Sequence, residues 1–233
     1  MSAPAAVSTF ARRSVAEAVA GLIRPLQKGY LRDDAVSVGA RARLSRGAGR
    51  TFGQVPDLLG LVDTSTLYET PTAGGHTLRE AELPAAEDAV HTALTLWALH
   101  QQSRGGGMHR RDSSGGSRTG LGAAVRRLMK PGEIDETVLK RLVRAGSAPD
   151  LEFLSVRLRE IVLLLRENET PLDYGLLAGQ LFLWQQPGGR GVVRREWGRS
   201  FHSAPTEQHA STEHDTQTPS ADNATTLTDK DTP

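Results

Sequence analysis

Apolar residues along this chain recur at intervals of three and four, the period of a helix, and no run alternates well enough to require a strand. Val15, Val19, Leu22, Leu26 and Tyr30 predict a first helix opening near Ser8 or Thr9, with Pro25 expected to bend or break it. Asp33 or Asp34 can cap a second helix that runs to about Ser45 and stops at Gly47 and Gly49. Val55 to Leu61 predicts a short helix with Pro56 in its first turn. Residues 63–79, rich in Thr, Gly and Pro, read as a loop. The stretch that organises the chain, 93–111, joins a loop of Gly and Arg to a helix at about 84–102, where Pro84 suits the first turn and Val90, Ala93, Leu94 and Trp97 share one face.

The second half is more regular. A helix at about 121–130 turns Leu121, Val125 and Leu128 to the core and fans Arg126, Arg127 and Lys130 over the other side. Ile134, Val138 and Leu142 define the next helix. Asp150 can cap one carrying Leu151, Leu154, Leu158, Ile161 and Leu165. Asp173 can cap another with Tyr174, Leu177, Leu181 and Trp184, and Val193, Trp197 and Phe201 suggest the last. Short connections favour antiparallel neighbours in a bundle. From Ser203 onward apolar residues give way to Thr, Ser, Pro, Asp and His, a composition that buries too little surface to offset its ordering entropy, so 203–233 is expected to be disordered.

Charge adds what periodicity cannot. The chain has 28 basic and 27 acidic residues, yet 203–233 alone hold six acids and one lysine, leaving 27 basic and 21 acidic residues, a net of +6, on residues 1–202. Residues 104–130 hold Arg104, Arg110, Arg111, Arg118, Arg126, Arg127 and Lys130 against Asp112 alone, in a segment whose glycines predict a flexible linker. Arg41, Arg43, Arg46 and Arg50 decorate the second helix and its exit; Arg43 and Arg46 share a face, with Arg41 some ~200° from Arg43. Two readings fit these arginines: a track for nucleic-acid backbone, since guanidinium matches phosphate geometry, or a solvated, solubilising face. The local scarcity of acids favours the first, because solubilising faces mix signs.

Other chemistry finds little purchase. There is no cysteine, which removes disulfides and thiolate metal sites and suits a cytoplasmic location. Ile161 to Leu165 is too short an aliphatic run to cross a bilayer, and no secretion signal is evident. The glycines of 115–122 lack the Lys-Ser/Thr of a phosphate loop and follow no strand. His91 and His100 are nine apart on one helix, on opposite sides, and read as ordinary surface or capping residues. Glu80, Glu82, Glu87 and Asp88 could imitate the carboxylates of a metal-dependent nuclease, but an acidic docking face is the simpler reading. No Gly-x-Ser-x-Gly elbow is present. The aromatic residues Trp97, Trp184, Trp197, Tyr174 and Phe201 sit at core spacing.

Leu44-Ser-Arg-Gly-Ala-Gly49, Ala93-Leu-Thr-Leu-Trp-Ala-Leu-His-Gln-Gln102, Arg159-Glu-Ile-Val-Leu-Leu-Leu165, Pro171-Leu-Asp-Tyr174, Leu181 to Gln185 and Trp197-Gly-Arg-Ser-Phe201, in this order and spacing, resemble the CasB family. CasB is the small subunit of Cascade, the type I-E CRISPR surveillance complex. The resemblance covers roughly residues 8–202. It implies an all-α, two-lobed protein with no enzymatic activity, and the residues themselves give no reason to expect a cofactor or metal. Its parts would be an N-terminal helical lobe over 8–102, a Gly/Arg-rich linker loop over 103–120, a C-terminal helical bundle over 121–202 and the tail over 203–233. It also implies partners: CRISPR RNA, the target and displaced strands of target DNA, other Cascade subunits and a second copy of the chain, with no membrane. By position, the backbone-holding and R-loop-stabilising role falls on Arg41, Arg43, Arg46, Arg50, Arg104, Arg110, Arg118, Arg126 and Arg127. The alternatives are a free-standing helical DNA/RNA-binding protein and the metal-dependent nuclease.

Overall fold

Aspartate caps set where four of the helices begin. A computed structural model describes residues 4–58, 60–62, 64–69, 78–111 and 119–204. Within it the Asp34, Asp135, Asp150 and Asp173 carboxylates accept hydrogen bonds from first-turn amides of the helices they precede. The described residues form nine α-helices: α1 (Pro4–Tyr30), α2 (Ala35–Leu44), α3 (Ser65–Glu69), α4 (Leu83–Gln101), α5 (Leu121–Arg127), α6 (Glu136–Gly146), α7 (Leu151–Glu167), α8 (Tyr174–Trp184) and α9 (Gly189–His202). Among them there is no strand, only an isolated bridge between His109 and Leu172. The fold is all-α.

Several elements differ from expectation. α1 begins before Ser8 and runs unbroken through Pro25. Proline forfeits one backbone bond there, but Val15, Val19 and Ile23 are fully buried and hold the helix on the core. The short helix expected over 55–61 is instead a 3₁₀ turn, Pro56–Leu58, that sinks Leu58 into the interior. Part of the segment read as a loop is helical: α3 buries Leu67, while 70–77 lie outside the described residues. Ile134 precedes α6 rather than packing within it, and is 56% exposed.

The larger correction concerns α4. It does not present one apolar face; every residue from Ala89 to Gln101 is buried. The reason is its position, since α1, α2, α7 and α8 all pack against it, and a helix covered on every side is buried all round. One hydrophobic cluster runs from Ala11 of α1 through α4 to Phe201 of α9 and includes Trp97, Trp184, Trp197 and Tyr174. Trp184 and Trp197 stack with ring centroids 5.7 Å apart.

Residues 103–111 are not the flexible linker expected. Gln101 holds them from one side, donating to the Arg104 and Gly106 carbonyls and accepting from the Met108 amide at 2.9 Å. Gln27 holds them from the other, pairing with both the amide and the carbonyl of His109. Two glutamine side chains thus satisfy backbone groups that glycine-rich chain would leave to water. Residues 112–118, the remainder of that segment, and the tail from 205 lie outside the described residues.

Candidate nucleic-acid interface

The arginines at the end of α2 sit on a turn wedged between α4 and α7. α2 ends at Leu44 and tightens into a 3₁₀ turn, Ser45–Gly47. Gly47 lies so close to α4 that a methyl group there would meet Leu58, at 2.7 Å, and Thr95. His91 of α4, fully buried, hydrogen-bonds the Arg50 carbonyl at 3.2 Å. On the other side Gly49, at φ +82°, carries the Arg159 side chain of α7 across its backbone, and Gln54 donates to Glu152 at 3.1 Å. The turn therefore ties α2 to α4 and α7 at once.

At the far end of α4 a second group gathers. The Arg41 guanidinium lies over the Tyr30 ring, 5.5 Å from its centroid, and the Tyr30 hydroxyl accepts from the Ser103 amide. Arg104 follows directly and pairs with Glu169 at 2.9 Å. Arg166 of α7 donates to Gln102. Arg159 and Arg166 are seven residues apart, so they share one face of α7 and span ~10 Å along it. They link the Arg46–Arg50 turn to the Arg41–Arg104 group.

Among the described residues Arg41, Arg43, Arg46 and Arg50 form no ion pair, and Arg43, Arg46 and Arg50 are exposed. Arg110, Arg126 and Arg127 are carried by other segments. Arg110 is exposed beside the Arg111–Glu17 pair, its amide bonded to the Leu172 carbonyl. Arg126 donates to the Lys130 carbonyl, and Arg127 lies next to it on α5, which packs on α9. Arg118 lies outside the described residues. Sequence reasoning passed over Arg159 and Arg166; the signal was their seven-residue spacing on α7.

Two further expectations are corrected. His91 and His100 are core residues, not surface or capping ones, because both sides of α4 are covered. Burial pushes His91 down and His100 down to about 4, and His100 Nδ1 and the Tyr174 hydroxyl share a hydrogen bond of 2.9 Å. The acids around the start of α4 are dispersed into separate bonds. Burial opposes ionisation of Glu82, but the Arg79 guanidinium and amide hold its carboxyl below the usual range. Tyr68 donates to Glu87, and burial raises Asp88. Among the described residues no group of three or more His, Asp or Glu is placed to hold a metal ion, and no helix is long and apolar enough to cross a membrane.

The family profile of the CRISPR-associated protein Cse2 matches residues 40–202. The chain belongs to the Cse2, or CasB, family. It is similar to CasB from Thermobifida fusca, with 44% identity over 84% of this chain and 98% of that one and a TM-score of 0.66. A chain of a CRISPR RNA-guided surveillance complex shares its fold at 21% identity, over 81% of this chain and 93% of that one, with a TM-score of 0.56. No curated protein matches it. The Cse2 match takes in α4, the Arg41–Arg50 segment and the α7 arginines, and ends before the acidic tail.

Proposed function

We propose that the chain is a non-catalytic subunit of a type I-E CRISPR surveillance complex, Cascade, and that it holds nucleic-acid backbone without reading its sequence. Its partners in this reading are CRISPR RNA, both strands of target DNA, the other Cascade subunits and a second copy of itself. Family membership supports the setting. The observation that carries the nucleic-acid role is the group Arg41, Arg43, Arg46 and Arg50, which lacks carboxylate partners among the described residues and runs from the end of α2 into a turn buttressed by two helices. Guanidinium groups left unneutralised on a fixed frame suit phosphate, and a protein whose guide RNA reads sequence needs only backbone contacts. Such contacts tip the near-balanced strand exchange of an R-loop toward the open state.

The test has two arms. Purification of the tagged chain from cells carrying its native operon is expected to recover other Cascade subunits and a CRISPR RNA; recovery of the chain alone would leave the free-standing binder as the correct reading. In the purified complex, R43A with R46A is expected to weaken binding equally on unrelated target sequences and to lower the salt slope of log K by about 1.5, two phosphate contacts. An unchanged slope removes these arginines from the interface.

A further inference from the structure

We infer that Arg159 of α7 is a phosphate-binding residue of the same interface, completing with Arg46 and Arg50 a composite site that neither α2 nor α7 forms alone. This rests on the nucleic-acid reading above and adds to it a residue from a segment more than a hundred positions downstream.

The argument starts with Gly49. Its φ of +82° is open to glycine and strained for other residues, and it turns the chain back between Arg46 and Arg50. A Cβ at that position would lie 2.9 Å from Arg159 Cδ and 3.7 Å from its Cβ. The stem of Arg159 is therefore laid on bare backbone, adjacent in sequence to Arg50. That turn is itself fixed: His91 Nε2 bonds the Arg50 carbonyl, Phe52 meets the His91 ring edge-on at 5.4 Å, and Gly47 is pressed against Thr95.

The neighbouring charges point the same way. Arg159 is exposed and has no ion-pair partner among the described residues. Of the carboxylates closest in sequence, Glu160 is paired with Arg157 at 3.0 Å and Glu152 accepts from the Gln54 amide. The Arg159 stem thus shares one turn with Arg46 and Arg50, and none of the three arginines is ion-paired among the described residues. Like charges so gathered raise the local potential and favour a polyanion. The chemistry that answers is a phosphodiester backbone, which presents one negative charge per nucleotide.

The experiment measures binding of the full-length chain to a fluorescein-labelled, mixed-sequence single-stranded DNA across a salt series. R159A is expected to lower the slope of log K against log salt by about 0.7, one phosphate contact on a single strand, with an unchanged melting temperature. R157A, two residues away and ion-paired to Glu160, removes the same formal charge and is expected to leave the slope unaltered. G49A places a methyl group against the Arg159 stem and is expected to reproduce part of the R159A loss. If R159A retains the wild-type slope while R43A with R46A lowers it, the interface stands and Arg159 is not part of it. If R157A lowers the slope as much as R159A, net charge rather than a site explains binding, and the inference fails.

Discussion

At the scale of single residues, the buried histidines of α4 give the molecule a pH dependence that its surface does not announce. His100 is fully buried and its pKa is depressed to about 4, first by burial and then by the nearby Arg166 and Arg104 charges. In the unfolded chain the same ring takes up a proton near its ordinary value of ~6.5. Between those values the unfolded state binds more protons, so stability is full above about 6.5 and is lost as pH falls toward 4. The loss is about 1.4 kcal/mol per pH unit for this residue and levels off below the folded value. His91 and His109 are depressed too, each chiefly by burial, and steepen the decline. Urea melts at a series of pH values are expected to show stability falling through this window. H100Q, which can still bond the Tyr174 hydroxyl but does not titrate, is expected to flatten the slope by about one proton; an undiminished slope would place the linkage in other groups.

At the scale of elements, glycine decides how closely the helices approach. α8 meets α1 where Gly175 and Gly179 stand opposite the Ala16 and Arg12 carbonyls, within 3 Å of where a Cβ would lie. α5 goes further: a Cβ on Gly122 would overlap the Trp197 carbonyl of α9 and crowd the Ser200 hydroxyl and the Phe201 amide. Backbone on the far side cannot rotate away, so G122A forces two helices apart. It is expected to cost about 1–3 kcal/mol or more in chemical denaturation, with a matching fall in melting temperature. Gly21, on the exposed side of α1 with nothing within 4 Å of its would-be Cβ, is the control. There G21A removes only backbone entropy from a helix interior and is expected to stabilise by about 0.5–1 kcal/mol. Equal effects at the two sites would mean the α5–α9 contact is loose. These glycines also mark a limit of sequence reading. Period and aspartate caps made α7 and α8 legible almost to the residue, since both signals are local. That Gly122 is a contact and Gly21 a mere helix residue depends on a partner helix, and no local pattern separates them.

At the scale of the whole molecule, the same distinction explains the candidate site. The Arg41–Arg50 set was legible because it is contiguous and poor in acids, whereas Arg159 joins it only through the seating of α7 beside the Gly49 turn. Arg126 and Arg127 enter the set by position, yet they sit on α5, an element that packs on α9. α4 was recognisable as the organising element, but its burial on all sides was not, because the spacing of Val90, Ala93, Leu94 and Trp97 defines one apolar face and Thr92, Thr95, His100 and Gln101 are polar. All four are buried, and three turn their polarity to use: Thr95 bonds back to its own helix, His100 shares a hydrogen bond with Tyr174 and Gln101 holds the 104–108 backbone. The global consequence concerns cooperativity. α1, from the first segment, lies along α8 from the second, α4 touches both α7 and α8, and one hydrophobic cluster joins 8–102 to 121–202. Neither segment can unfold without exposing the other's buried face, so denaturation is expected to be a single transition. The tryptophans supply the test, since Trp97 reports on α4 and the stacked Trp184 and Trp197 on α8 and α9. With W97F as one probe variant and W184F with W197F as the other, each variant's fluorescence and far-UV circular dichroism are expected to give coincident urea curves. Curves that separate within either variant would show that the halves fold as independent units, and the shared core would then contribute little to holding them together.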